Sequence, residues 1–154
     1  MQIAVIGHGD AVQAEREAAY VTGRLVAGQG AVLVCGGLGG VMEEACRGAR
    51  EAGGRTVGIL PGTDGGNPYL SITIRTGLGI ARNALVVLSA DAVIAIGGKY
   101  GTLSEIAMAL RSGRPVFGIG TWDIDGVVPC SSPEDAVERA VHAAAKEQHQ
   151  KKRT

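Results

Sequence analysis

The sequence predicts a single doubly wound α/β domain with a mostly parallel sheet. Three observations carry that prediction. Short aliphatic runs alternate with amphipathic stretches along all 154 residues, and strands spaced by helices of this length make right-handed βαβ units. The 25 glycines cluster at the ends of the aliphatic runs, where turns belong, and show no repeat period. Aromatics are 3% of the chain against 45% apolar residues, so Val, Ile, Leu and Ala must fill the interior of a sheet covered on both faces.

Each element can be justified in turn. Residues 3–6 (Ile-Ala-Val-Ile) form a buried strand, followed by a polar turn and a helix over about 12–27. In that helix Ala14, Ala18, Val21 and Leu25 recur at helical spacing on one face. Gly28-Gln29-Gly30 ends it, and 31–35 is the second strand. A second helix covers about 40–52 and closes at Gly53-Gly54; the third strand is 56–60. Residues 61–68 are dense in Gly and Pro and read as an irregular loop, with a short edge strand at 72–74. The stretch 79–90 reads as a helix apolar on most sides, through Ile80, Ala84, Leu85, Val86, Val87 and Leu88. Such a helix packs on the sheet and against something else. A second copy of the chain is the natural partner, giving a homo-oligomer, dimer or tetramer. A fifth strand follows at 92–96, a helix at 102–112, a strand at 115–119 and a short edge strand at 126–129. Ser132-Pro133-Glu134 opens a final helix with Pro at its first position, reaching about residue 146. The domain is thus 1–147, with 148–154 as a flexible basic tail.

Composition narrows the function. Fifteen basic residues balance fifteen acidic ones, and no basic face precedes Lys151-Lys152-Arg153, so nucleic acid is not an expected partner. Cys35, Cys46 and Cys130 lack CxxC spacing and leave an odd one over, the pattern of reduced thiols in a cytoplasmic protein. His8, His142 and His149 have no Cys or carboxylate at ligand spacing, so no metal site is expected, and no cofactor is needed for folding. The first residues lack a signal peptide's features, and no apolar run has membrane-spanning length. The expected setting is cytoplasmic.

Two glycine-rich turns carry the functional information. Val32-Leu33-Val34-Cys35 runs into Gly36-Gly37-Leu38-Gly39-Gly40, and Val93-Ile94-Ala95-Ile96 runs into Gly97-Gly98-Lys99-Tyr100-Gly101-Thr102. A strand that ends in glycines and feeds a helix points backbone N–H groups outward at the helix's positive end, a site for an anion such as phosphate. Gly7-His8-Gly9 after the first strand lies at the same sheet edge, where ligands of open α/β sheets bind. The candidate ligand-binding residues are therefore Gly7, His8, Gly36, Gly37, Gly39, Gly40, Gly97, Gly98, Lys99, Tyr100, Gly101 and Thr102. Neither turn is a standard fingerprint: Gly7-His8-Gly9 lacks the third glycine of GxGxxG, and Gly98-Lys99 runs into Tyr100 rather than the Ser or Thr of a P-loop. Glu105, one turn into its helix, faces the same cleft and suits a ribose hydroxyl or a developing cation; the plain alternative is a helix-start acid. Arg82, a lone cation in an apolar stretch, wants a carboxylate, a ligand phosphate or a subunit-interface partner. Lys99 offers phosphate a point charge, or simply faces solvent.

Taken together, Cys35-Gly-Gly-Leu-Gly-Gly-Val-Met42, the segment ending Ile59-Leu60-Pro61-Gly62, Ala81-Arg82-Asn83, and Gly97-Gly-Lys-Tyr-Gly-Thr-Leu-Ser-Glu105 resemble the LOG-like superfamily. That group also carries a lysine decarboxylase label and is distantly similar to DprA. Within it the chain looks closest to the short branch containing molybdenum cofactor carrier proteins. The resemblance spans Ile3 to about Ala140 and adds Met42, Glu43, Pro61 and Gly62 to the ligand-binding candidates. It implies binding of a phosphate-bearing, nucleotide-like small molecule, molybdopterin in the carriers. The alternative it implies is a nucleoside 5′-monophosphate phosphoribohydrolase, in which Arg82 and Glu105 would be catalytic in hydrolysis of the N-glycosidic bond. A weaker one is single-stranded DNA binding. The hydrolase motif PGGxGTxxE is altered here: Gly97 replaces its Pro, Lys99 its second Gly, Ser104 the first Glu of its pair. Glu43 stands where the hydrolases have glycine and suits the guanidine-like edge of a pterin. These departures favour binding without hydrolysis.

Overall fold

The computed structural model describes residues 1–151, and their side chains through residue 147. Strands β1 (Gln2–Ile6), β2 (Val32–Cys35), β3 (Thr56–Leu60), β4 (Ile72–Arg75), β5 (Ala92–Ile96), β6 (Val116–Ile119) and β7 (Val127–Pro129) form one sheet in the order β4-β3-β2-β1-β5-β6-β7. Every pairing is parallel, so the sheet is more uniform than the mostly parallel one expected. Helices α1 (Gln13–Gly28), α2 (Val41–Glu51), α3 (Arg82–Leu88), α4 (Tyr100–Arg111) and α5 (Pro133–Lys151) link or follow the strands.

Alternation along the strands sorts the helices into two layers. Ile3, Val5, Leu33, Cys35, Ile94 and Ile96 share one core with Ala19 and Val26 of α1, Ala45 and Ala49 of α2, and Ala136 and Ala140 of α5. Ala4, Ile6, Val34, Val93 and Ala95 share the other with Val86 and Val87 of α3 and Ile106 and Ala109 of α4. Small residues on the helices let them lie close on the branched side chains of the sheet. The tightest approach joins α1 to α2. A Cβ on Gly23 would fall 1.9 Å from the Ala45 carbonyl oxygen, and one on Gly48 2.0 Å from that of Tyr20, so the two backbones touch.

Three elements depart from the sequence reading by more than one residue. The 79–90 stretch is a 3-10 turn, Gly79–Ala81, followed by a seven-residue α-helix, because Gly79 takes a φ of +58°. Its outward side stays bare: Leu78, Ile80, Leu85 and Leu88 are exposed, Ile80 by 86%. Helix α4 begins at Tyr100 rather than Thr102. Helix α5 runs to Lys151, beyond the expected end near 146; of the expected tail, 152–154 lie outside the described residues. Among the described residues no helix is long and apolar enough to cross a membrane.

Candidate functional site

The winding reverses between β1 and β5: the helix after β1 lies on one face of the sheet and the helix after β5 on the other. Their connections part at the carboxyl edge and leave a crevice there. A cavity of about 160 Å³ occupies it, lined by Gly7, His8, Met42, Arg82, Asn83, Gly101, Thr102 and Glu105. A larger hollow of about 360 Å³ between α1 and α2 includes Glu44 and Arg47 in its lining. Those two side chains pair with each other, and Arg47 also with Glu51, which leaves that hollow less to offer a ligand.

Each polar residue of the crevice is positioned by contacts on its far side. His8 lies where β1 ends, and its carbonyl accepts the Val41 N–H that opens α2, at 3.2 Å. Its Nε2 lies 2.9 Å from Glu15 Oε2, which also accepts the Val12 N–H at 2.9 Å. Glu15 in turn fills the space beneath the Gly97 turn, where φ is +53° and a Cβ would fall 2.0 Å from Glu15 Oε1. Arg82 donates from Nη2 to the Gly36 carbonyl at 3.2 Å and from Nη1 to Asn83 Oδ1. Asn83 Nδ2 donates to Ser104 Oγ at 3.1 Å, and Ser104 Oγ to the Gly101 carbonyl at 2.6 Å. The crevice therefore draws on β1, β2, α1, α3 and α4 at once.

These contacts leave part of each group unused. His8 Nδ1, Arg82 Nε and Thr102 Oγ1 are buried without a hydrogen-bond partner, and all three residues line the same cavity. A buried polar atom left unpaired costs about 1–3 kcal/mol. Thr102 lies in the first turn of α4, where free backbone N–H groups and the helix dipole favour an anion. Burial pushes the Glu105 carboxyl up to about 8, with Arg82 pulling it partly back. Burial also lowers Arg82 from its usual range, while Glu105 raises it. At neutral pH Glu105 is thus mostly uncharged and able to donate a hydrogen bond, while Arg82 keeps its charge. A carboxylate beside a phosphate would repel it; a carboxylic acid does not.

Of the candidates read from the sequence, Arg82, Glu105, Gly7, His8, Met42, Gly101 and Thr102 come together around this cavity. The others surround it. Gly36 anchors Arg82; Gly40 sits against the His8 carbonyl; Gly97 and Gly98 lie against Glu15 and Thr102. Asn67 N–H donates to the Gly37 carbonyl at 2.9 Å, pinning the loop after β3 onto that turn. Pro61 and Gly62 accept the Gly79 and Gly77 N–H groups, which sets the approach to α3. Glu43, in the first turn of α2, extends beside Gly39. Lys99 Nζ reaches Asp10 at 3.4 Å, both side chains largely exposed, and Tyr100 is 80% exposed. Cys35 is buried with its Sγ 3.4 Å from Cys46 Sγ; the contact with Cys46 and burial hold its thiol well above the usual range.

A model of the SLOG cluster4 family matches residues 1–152. The chain belongs to that family. It is 44% identical over 148 residues to an uncharacterised protein of Archaeoglobus fulgidus, spanning 95% of this chain and 98% of that one. It is 30% identical over 119 residues to a probable cytokinin riboside 5′-monophosphate phosphoribohydrolase of Oryza sativa, spanning 72% of this chain and 52% of the rice protein. Among solved structures, the molybdenum cofactor binding protein of Rippkaea orientalis superposes with a TM-score of 0.87 at 40% identity, covering 92% of this chain and 95% of that one. The molybdenum cofactor carrier protein of Chlamydomonas reinhardtii superposes at 0.86 with 36% identity, covering 94% and 98%. DprA of Streptococcus pneumoniae superposes at 0.73 with 20% identity, over 90% of this chain and 61% of that one; that likeness is one of fold alone. The superfamily and its short branch, read from motifs spread over 35–105, are borne out at the level of family and fold.

Two members of the crevice in this SLOG cluster4 chain escape the sequence reading as site residues. Asn83 looks like a polar residue in passing, yet it couples Arg82 to Ser104. Glu15 has one local signal, an acid three residues after Val12 in the first turn of a helix. Its second role, holding His8, depends on how the turn folds back and has no signature in the sequence.

Proposed function

We propose that the chain is a binding protein for a phosphate-bearing small molecule whose remaining part is a planar heterocycle, of molybdopterin type. The observation that carries the reading is the set of three buried, unpartnered polar atoms, His8 Nδ1, Arg82 Nε and Thr102 Oγ1, around one cavity at the start of α4. A phosphate oxygen accepts from Arg82 and Thr102, which turns two of those three costs of the fold into binding energy, and a protonated Glu105 adds a further donor. Family membership supports the cargo: two solved relatives at 40% and 36% identity are named for the molybdenum cofactor. The reading carries with it a homo-oligomer through the bare face of 79–90 and a cytoplasmic setting, in keeping with the free thiols of Cys35, Cys46 and Cys130.

A second reading, a nucleoside 5′-monophosphate phosphoribohydrolase using Arg82 and Glu105, draws on the rice relative and on the two residues lining one cavity. Stabilising a developing sugar cation needs an ionised carboxylate, and Glu105 raised to about 8 is mostly protonated at neutral pH. The expected result is that AMP yields no free base or ribose 5-phosphate at pH 7, whereas ribose 5-phosphate and molybdopterin both bind in calorimetry. Arg82→Ala should abolish that binding, and Thr102→Val weaken it about tenfold, one charge-assisted hydrogen bond. Turnover of AMP that disappears in Glu105→Gln would instead establish the hydrolase.

A further inference from the structure

We propose that Tyr100 and Trp122 form the platform on which the ligand's planar ring stacks, outside the cavity that takes its phosphate; this rests on the phosphate-binding reading above. At about 160 Å³ the crevice cavity is well below the roughly 300 Å³ at which whole small-molecule ligands are usually enclosed. A heterocycle attached to a phosphate held there must lie beyond the cavity mouth.

Two of the chain's five aromatics stand beside the turn that opens α4. The chain has one Trp, three Tyr and one Phe, and Tyr100 and Trp122 stand together with ring centroids 5.9 Å apart and planes inclined by 33°. Tyr100 opens α4, one residue before the cavity-lining Gly101 and two before Thr102. Side chains lean toward the start of their helix, and Tyr100, 80% exposed, stands at the start of the helix whose next two residues line the cavity. Trp122 is fixed rather than free. Its Nε1 donates to the Lys99 carbonyl at 3.2 Å, and the neighbouring Thr121 Oγ1 donates to the Gly97 carbonyl at 2.5 Å. Two successive residues thus tie the loop after β6 to the anion-binding turn and preset the platform relative to the phosphate. Aromatic faces recognise any flat heterocycle, so the class selected is a pterin or purine phosphate over a bare sugar phosphate.

Trp122 is the chain's single tryptophan, so its emission reports on the platform directly. The experiment is a titration with GMP, a pterin monophosphate, ribose 5-phosphate and inorganic phosphate, read by emission and by calorimetry. The ring-bearing ligands should quench Trp122, and ribose 5-phosphate should bind without quenching. Tyr100→Ala and Trp122→Ala, shown folded by thermal melting, should weaken the ring-bearing ligands at least about fivefold, the low end for stacking on an aromatic. Both should leave ribose 5-phosphate within about twofold, and Trp122→Phe should keep most of the affinity. Equal affinity for ring-bearing ligands in wild type and both alanine variants overturns the platform while leaving the phosphate site standing. So does wild-type protein that binds ribose 5-phosphate but neither ring-bearing ligand. Emission that shifts on dilution without ligand also overturns it, assigning the pair to contact between copies. Failure of every phosphate compound to bind removes the phosphate reading and the platform with it.

Discussion

Glu105 is the residue whose behaviour depends most on its surroundings. A glutamate in the second turn of an exposed helix would stay ionised; burial in the crevice instead pushes it from 4.5 up to about 8. The folded state therefore holds a proton that the unfolded chain releases near pH 4.5. The Glu105 contribution to stability is fully present below that pH and is lost as pH rises toward 8. Wild-type protein should thus lose stability between pH 5 and pH 8, by an amount on the order of a few kcal/mol, while Glu105→Gln should show a much flatter profile. Melting temperatures of both proteins at pH 5, 6.5 and 8 test this, and parallel profiles would contradict it. The same proton bears on the proposed phosphate binding, because a neutral acid can share the crevice with a phosphate. By contrast Lys99, with its exposed partner Asp10, forms the kind of ion pair that adds little to stability.

At the scale of elements, glycine serves two unlike purposes. At Gly97 it makes room for Glu15, which holds His8, so the turn after β5 and the turn after β1 are built as one unit. At Gly23 and Gly48 it lets α1 and α2 cross in backbone contact. A methyl group at Gly23 meets the Ala45 carbonyl and the backbone of Ala49, neither of which can rotate aside. Gly23→Ala should therefore destabilise the fold by roughly 2–4 kcal/mol despite the gain in helix propensity. Chemical denaturation measures it, and a change below about 0.5 kcal/mol would mean that the helices separate more freely than their packing implies. Helix α3 is short for a different reason. The 3-10 turn before it uses up the first residues of the apolar stretch, and the helix opens on Arg82 and Asn83, which line the crevice.

At the scale of the whole molecule, two features stand apart. The crevice sits where the winding reverses, so its two walls belong to opposite layers and only the complete sheet brings them together. On the turn and helix that carry Arg82, Leu78, Ile80, Leu85 and Leu88 leave apolar side chains uncovered, and Ile72 and Ile74 of β4 are exposed as well. Exposed apolar surface, where it is contiguous, often serves as an interaction site. The proposed occupant is a second copy of the chain. Sedimentation should find a dimer or larger assembly at micromolar concentration, and Ile80→Glu with Leu88→Glu should shift it to monomer. Wild-type protein that sediments as a monomer throughout would leave that surface without its proposed partner.

The order of strands and helices was legible because it is local. Aliphatic runs such as 92–96 and the spacing of Ala14, Ala18, Val21 and Leu25 report backbone geometry over a few residues. Glycine clusters mark turns within the same range, so even the sheet edge that bears the crevice could be named. The motif resemblance then placed Arg82 and Glu105 in the family's pattern. Only the tertiary structure decided what these groups have left to give. Arg82 is anchored by a carbonyl 46 residues away in sequence, and His8 by a carboxylate on the next helix. Glu105 is pushed up to about 8 because protein closes over it, and Trp122 stands beside Tyr100 because β6 pairs with β5. Hydrogen-bond satisfaction and desolvation depend on which segments meet, and no window of local sequence contains that information.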